Sequence, residues 1–327
     1  MSELRREPVL RRWVAISTSP SKGKKETCPF CPGSEGATPP ETFVLRETGS
    51  RENGPGWWVR VVPNQYPLFR LEGGLGKRAE GMYDMMNNFG AHEVVIETPE
   101  HQQTWPEMEL GQLERILQAY CQRSLSLRGD NRFRQILITK HHWGPKHHWD
   151  PTLEHLLHHP HSHIVAMPFI PARIEDEIRG VLEYQQRKER CIYCDIISQE
   201  LRAQKRVILE TDHFLTFAPY ASRYPYETWV IPKSHFPDFA MLSGSQVTDL
   251  SQALKAIYTK MQKAFEEAMI SMVLHTTPLQ EFYREEYHWH IELRARLARP
   301  MGFEWGTGFF INYVAPEEAA SVLRDIQ

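Results

Sequence analysis

Two Cys-x-x-Cys pairs, CPFC at Cys28–Cys31 and CIYC at Cys191–Cys194, stand at corresponding places in a sequence that repeats itself. An internal repeat constrains a fold more than any local pattern, because both copies must reach the same architecture. After the first pair, VVIETPEHQQTW carries an apolar strand into a proline and then His101; after the second, TWVIPKSHFPDF does the same and ends at His235. Helical sequence follows in each case, MELGQLERILQAYCQRSL and SGSQVTDLSQALKAIYTKMQKAFEEAM, with apolar residues three and four apart. Each copy then reaches histidines at alternate positions, HPHSH from His159 and HWHIE from His288. The strand-end histidine precedes the alternating segment by 58 residues in the first copy (101 to 159) and by 53 in the second (235 to 288). The expected organisation is therefore two similar halves, 1–175 and 176–327. The charged helical stretch PARIEDEIRGVLEYQQRKER leads into the second cysteine pair.

Strand-like runs such as GWWVRVVPN, HEVVIET, FRQILIT, HIVAMPF, HFLTFAPY and ETWVIP are interleaved with few long helices. They predict an α+β chain dominated by antiparallel sheet.

Each half offers four metal ligands: Cys28, Cys31, His101 and His159 in the first, Cys191, Cys194, His235 and His288 in the second. Two cysteines with two histidines make a closed tetrahedral shell, which suits a structural zinc and leaves no open position for catalysis. The chain begins MSELRREPVLRRW, without the apolar core of a secretory signal, and contains no run of 18 apolar residues. It is expected in the cytoplasm, where paired cysteines are ligands before they are disulfides. The competing reading makes the cysteines reduced thiols and some of the 16 histidines ordinary core or surface residues. A net charge of −3 gives no electrostatic footprint for nucleic acid or an anionic membrane.

On a strand, His159, His161 and His163 share one face at steps of about 7 Å. With His159 held by metal, His161 is free. A backbone carbonyl bonded to one of its ring nitrogens would fix the tautomer and expose the other nitrogen's lone pair, which suits attack on phosphorus. The predicted reaction is attack on the α-phosphorus of a nucleotide ester, forming a covalent nucleotidyl-histidine that a second substrate then relieves.

The combination of CPFC, VVPNQYP, HPHSH, PYETWVIPKSH, HWH and GFEWGTGFFIN resembles the galactose-1-phosphate uridylyltransferase branch of the histidine-triad superfamily over nearly the whole chain. CIYCDIISQE, PYASRYPYETWVIPKSH and GFEWGTGFFIN look especially like the subgroup containing ADP-glucose phosphorylase. The resemblance implies two histidine-triad halves forming an antiparallel half-barrel with flanking helices, and a homodimer. It implies His159 as a zinc ligand, His161 as nucleophile, Asn64 near the nucleotide ribose and base, and Glu304 near the sugar. His163 joins His161 as a catalytic candidate, and Lys140 and Ser162 as candidates for substrate phosphate. For the second metal, some relatives use a carboxylate and three histidines, for which the positions here are Glu177, His275, His288 and His290; Cys191 and Cys194 favour the cysteine set.

Two departures bear on activity. Transferases of this branch carry Gln where this chain has His163, and an imidazole can deliver a proton as an amide cannot. Where the family has a loop of small residues before the triad, this chain has KHHWGPKHHWDPTLEHLLHH, in which Lys146, His141, His142, His147 and His148 are candidates for phosphate or a further metal. HWHIE ends in Glu292 and is expected to be the non-catalytic half, its strand lining the partner subunit's sugar-phosphate pocket.

The leading expectation is a nucleotidyltransferase of carbohydrate metabolism moving UMP from UDP-glucose to a hexose 1-phosphate. The alternatives are adenylyl transfer from ADP-glucose to phosphate, a triad hydrolase, and a non-catalytic zinc-stabilised nucleotide-binding protein.

Overall fold

β-Branched and aromatic residues at alternate positions pack one face of a pleated surface and leave the other for polar groups, and this chain uses them in long antiparallel ladders. The computed structural model describes residues 3–16, 27–142, 158–280, 285–297 and 300–327. In chain order the strands are β1 (Glu3–Arg6), β2 (Trp13–Ile16), β3 (Phe43–Arg46), β4 (Trp57–Pro63), β5 (Arg78–Glu80), β6 (Tyr83–Asn87) and β7 (Ala91–Ile96), then β8 (Gln135–His142) and β9 (His161–Met167). The second half of the chain supplies β10 (Val207–Glu210), β11 (Phe214–Phe217), β12 (Thr228–Pro232), β13 (Ile270–His275) and β14 (His290–Ala295). The helices are α1 (Leu110–Arg128), α2 (Ala172–Lys188), α3 (Ile192–Ala203), α4 (Gly244–Ala264), α5 (Gly302–Thr307) and α6 (Pro316–Asp325).

Ten strands form one open sheet in the order β10-β11-β12-β14-β13-β8-β9-β7-β4-β3. From either edge inward the order of use is the same: β3, β4, β7, β9, β8 on one side and β10, β11, β12, β14, β13 on the other. β8 and β13 meet antiparallel at the centre, with His275 opposite Leu137. The fold is thus the antiparallel α+β architecture that the alternating runs predict, and among the described residues the sheet is open, with β3 and β10 at its ends and no closed barrel. The expected division between residues 175 and 176 falls inside α2, so a continuous helix crosses it.

α1 and α4 cover one face of this sheet. Leu113, Ile116, Leu117 and Tyr120 from α1 and Leu254, Ile257 and Met261 from α4 share a core with Ile138, Ile164, Met272 and Ile291 of the central strands. A capping box starts α4: Ser243 Oγ accepts from the Gln246 amide and Gln246 Oε1 accepts from the Ser243 amide. The other face carries the chemistry. On β9, Ser162, Ile164 and Ala166 point to the helices, so His161, His163 and Val165 point away from them. Thr139 and Val94 lie directly opposite His163 on the neighbouring strands, and Ile96 opposite His161, so they share that outer face. A small sheet of order β2-β1-β6-β5 closes the outer face beyond Val165 through Leu4, Phe69, Met86 and Met167. Among the described residues no helix is long and apolar enough to cross a membrane.

Candidate functional site

Cys28, Cys31, His101 and His159 converge beside the start of β9. Their Nδ1 to Sγ separations are 3.7 Å (His159–Cys28), 3.6 Å (His159–Cys31) and 3.3 Å (His101–Cys31). A tetrahedral ion with ordinary metal–sulfur and metal–nitrogen bonds has an S···N edge of roughly 3.6 Å, so the donor set fits such an ion. His159 is fully buried and its Nε2–H donates to the Thr98 carbonyl oxygen at 2.7 Å, which turns the Nδ1 lone pair to the cysteines. Burial, and then the neighbouring Cys28, push the Cys31 thiol up to about 11. Metal binding at this pair therefore displaces protons.

The second half repeats the construction. Cys191, Cys194, His235 and His288 converge, with Nδ1 to Sγ separations of 4.0 Å (His288–Cys191), 3.9 Å (His288–Cys194) and 3.7 Å (His235–Cys194). The His288 Nε2–H donates to the Pro232 carbonyl oxygen at 2.9 Å, as His159 does to Thr98. In each Cys-x-x-Cys turn the aromatic residue before the second cysteine packs on the histidines that follow. Phe30 lies 6.0 Å from His159 and 5.6 Å from His161, and Tyr193 lies 5.8 Å from His288 and 5.3 Å from His290, between ring centroids.

His161, half-buried on the outer face, donates from Nδ1 to the His159 carbonyl oxygen at 2.7 Å. That is the carbonyl contact expected of a nucleophile: it fixes the tautomer and leaves the Nε2 lone pair unprotonated. Burial lowers His161 to about 4, so the ring is neutral at physiological pH. His163 lies beside it on the same face, with ring centroids 5.1 Å apart.

A residue that sequence reasoning missed joins this pair. His92, on β7, places Nε2 3.1 Å from His163 Nδ1, and Asn64 Nδ2 lies 3.1 Å from the same Nε2. Asn64 is therefore next to the triad, its Oδ1 accepting from the Tyr66 amide at 2.8 Å. The signal for His92 was present in HEVVIET, a histidine on the face shared by Val94 and Ile96, but which strand it would face is not written in a local pattern.

Lys140 and Ser162 are corrections. Strand alternation puts both on the helix-covered face, one residue out of phase with His141 and His161. Lys140 is 1% exposed and pairs with Glu97 at 2.5 Å; Ser162 is fully buried and accepts from the Tyr120 hydroxyl at 2.7 Å. Trp105 Nε1 also donates to Glu97, at 2.8 Å. These side chains form a buried polar network beneath the histidines instead of a phosphate contact. Of the loop histidines, His141 is on the outer face with Nδ1 3.2 Å from Ser271 Oγ. His142 is buried on the helix side against Tyr258. Lys146, His147 and His148 lie outside the described residues. Glu304 is held by its own segment, accepting from the amides of Met301 and Ile311.

The carboxylate and three-histidine set is not assembled as expected, because His288 sits with the cysteines. Instead Glu177, His275, His290 and Glu292 form a third group. His275 Nδ1 lies 3.2 Å from Glu177, and Glu292 bonds Arg173 and, at 2.8 Å, Arg223. HWHIE thus ends in a carboxylate held by two arginines, where HPHSH ends in an imidazole.

Residues 177–300 match the family of the galactose-1-phosphate uridyl transferase C-terminal domain. The chain is 30% identical to an ADP-glucose phosphorylase of Arabidopsis thaliana, over 99% of this chain and 93% of that one. It is 28% identical to a galactose-1-phosphate uridylyltransferase of Thermotoga maritima, over 100% and 99%. A crystal structure of the Arabidopsis thaliana ADP-glucose phosphorylase with bound ADP-glucose superposes with a TM-score of 0.79 at 30% identity, over 100% of both chains. A uridylyltransferase structure gives 0.82 at 26% identity, over 98% and 97%.

Proposed function

Because the chain belongs to the galactose-1-phosphate uridylyltransferase family and is a nucleotidyltransferase, we propose that it moves a nucleotidyl group from a nucleotide sugar to a sugar 1-phosphate through a covalent His161 intermediate. The observation that carries this reading is the 2.7 Å bond from His161 Nδ1 to the His159 carbonyl oxygen, which leaves Nε2 as the nucleophile. The Nε2 lone pair attacks the α-phosphorus, the bond from that phosphorus to the bridging oxygen breaks, and the sugar 1-phosphate leaves with the electron pair. The Nδ1 proton stays on the ring, against a carbonyl dipole that stabilises the positive charge arriving there. The incoming sugar 1-phosphate then takes the nucleotidyl group by the reverse step, which restores the neutral imidazole.

The leading donor is a UDP-hexose with a hexose 1-phosphate as acceptor. Adenylyl transfer from ADP-glucose to phosphate is the second reading, favoured by the whole-length similarity to a phosphorylase of that specificity. The two cysteine and histidine clusters are read as structural zinc sites, with Cys28, Cys31, His101 and His159 holding one ion and Cys191, Cys194, His235 and His288 the other. Zinc there supplies rigidity, with all four positions taken by protein. His161 and His163 are the catalytic pair and Asn64 the nucleotide-side residue. A homodimer in the cytoplasm completes the reading. Its support is the exposed apolar segment with Phe303, Trp305, Phe309 and Tyr313, between 58% and 81% accessible in the single chain.

The test is intact-mass measurement after incubation with UDP-glucose or ADP-glucose, without acceptor. A UMP or AMP adduct that disappears on adding hexose 1-phosphate or phosphate supports the reading and names base and acceptor. Free nucleotide without an adduct would replace it with hydrolysis.

A further inference from the structure

The histidine pair on the outer face has a third member whose hydrogen bonds can be followed in one direction only. The backbone amide of Leu68 donates to His92 Nδ1 at 3.1 Å. A backbone N–H cannot act as an acceptor, so that ring nitrogen must carry the lone pair. Burial holds His92 down to about 4, so at neutral pH its ring has a single proton, and that proton is on Nε2. Two nitrogens lie 3.1 Å from it: Asn64 Nδ2 and His163 Nδ1. The Asn64 amide is oriented by the Tyr66 N–H on its Oδ1, so its Nδ2 carries hydrogens and cannot accept; with the proton on His92 Nε2 its 3.1 Å approach is a contact of two donors and not a hydrogen bond. His163 Nδ1 is the acceptor that remains. His163 is buried enough to be neutral as well, held far below the usual imidazole range by burial first and by its histidine neighbours second. With Nδ1 accepting, its own proton sits on Nε2.

We infer that His92 is a positioning residue that fixes the tautomer of His163, through a directed chain from the Leu68 amide to His92 to His163, so that His163 presents an Nε2–H donor beside the His161 lone pair. The two neighbouring rings are thereby made unlike. His161 donates backward from Nδ1 to a carbonyl and offers a lone pair at Nε2; His163 accepts backward at Nδ1 and offers a proton at Nε2. One atom attacks phosphorus while the other hydrogen-bonds an oxygen on it, and no proton need be transferred. The arrangement also removes a competing nucleophile, since His163 has no free lone pair at Nε2. The consequence for turnover rests on the nucleotidyl-histidine reading above; the tautomer does not.

The experiment is a long-range proton–nitrogen spectrum of the full-length protein with labelled histidines at pH 7, His163 being assigned by the signal lost in His163→Gln. The expected result is His163 as the Nε2–H form. The Nδ1–H form, or a rapid mixture of the two, overturns the inference whether or not any nucleotide sugar labels the enzyme. Failure of labelling, by contrast, strikes the functional reading and leaves the tautomer standing. Two variants add a kinetic arm. His92→Phe removes the donor and should lower kcat roughly ten- to hundredfold with little change in KM, the size typical of losing an orienting partner. His92→Gln keeps an N–H near the position of Nε2 and should restore most of kcat and the Nε2–H form of His163. Equal behaviour of the two variants would overturn the role of His92. If His92→Phe does not fold, the spectrum of the unmodified protein still decides.

Discussion

His161 donates its Nδ1 proton to the carbonyl oxygen of His159 at 2.7 Å, while the His159 ring turns its own Nδ1 to Cys28 and Cys31. One residue therefore joins the first cysteine and histidine cluster with its side chain and orients His161 with its backbone. The second half copies the geometry, with His290 Nδ1 3.3 Å from the His288 carbonyl oxygen, but buries the corresponding ring between His275 and Trp229. The same scaffold thus leaves the ring half-buried in one half and fully buried in the other.

Replacing His161 by Gly or Asn should abolish nucleotidyl labelling and lower turnover by a factor on the order of a thousand or more, because the variant lacks the imidazole lone pair that the proposed attack uses. Metal content and melting temperature should stay near those of the parent, since the cysteine cluster does not include this ring. Mass spectrometry and elemental analysis of one preparation check both. Persistent labelling of the variant would move the nucleophile elsewhere.

Phe30 packs against both His159 and His161, so on the two-zinc reading the loss of each site should differ in its effect. Cys28→Ser is expected to remove roughly one metal equivalent per chain, lower the melting temperature and slow labelling of His161 together, as a structural ion is part of the fold. Cys191→Ser should remove the other equivalent and stability, with a smaller effect on the labelling rate of the folded fraction. Equal labelling defects in both variants would contradict the coupling through Phe30.

Acid should destabilise the protein in a defined window. Burial lowers His92 to about 4 and His142 to about 3, against about 6.5 for an unfolded histidine. Between pH 6.5 and the folded values the unfolded chain binds protons that the native chain refuses. Stability is full above pH 6.5 and falls as pH drops toward 4, by about 3 kcal/mol for each shift of this size. Urea unfolding at pH 7.5, 6 and 5 measures it. In His142→Phe the loss between pH 6.5 and 4 should shrink; an unchanged pH slope would show that this ring is not the source.

The repeat was legible because its two copies use the same residue types at the same places: both ligand sets could be read from spacing, and each converges. The carbonyl contact of His161 was legible for the same reason, as Nδ1 of a strand histidine reaches a carbonyl two residues back. What failed depended on pairing. Lys140 reads as a phosphate ligand in isolation, yet on β8 it is one step out of phase with His141 and meets Glu97 under the sheet. His92 meets His163 only because β7 and β9 are neighbours, and Glu292 joins His275 and Glu177 only because β13, β14 and α2 meet. Local sequence carries none of those adjacencies.

Lys140 decides between the two readings of its charge. As a phosphate ligand, it would raise KM for the nucleotide sugar when removed and cost little stability. As the buried partner of Glu97, its removal leaves a carboxylate that is also held by Trp105 and close to Tyr120 without its cation. Breaking one side of such a pair costs about 3–5 kcal/mol, whereas removing both charges is far milder. Lys140→Met should therefore unfold at markedly lower denaturant, and adding Glu97→Gln should recover much of the loss, while KM of the folded protein is unchanged in both. A raised KM with unaltered stability would return Lys140 to the substrate. The outcome also bears on Ser162, because Tyr120 links its hydroxyl to the same carboxylate. If the network is structural, Ser162→Ala should follow Lys140→Met in direction, at the roughly 1 kcal/mol of a single buried hydrogen bond.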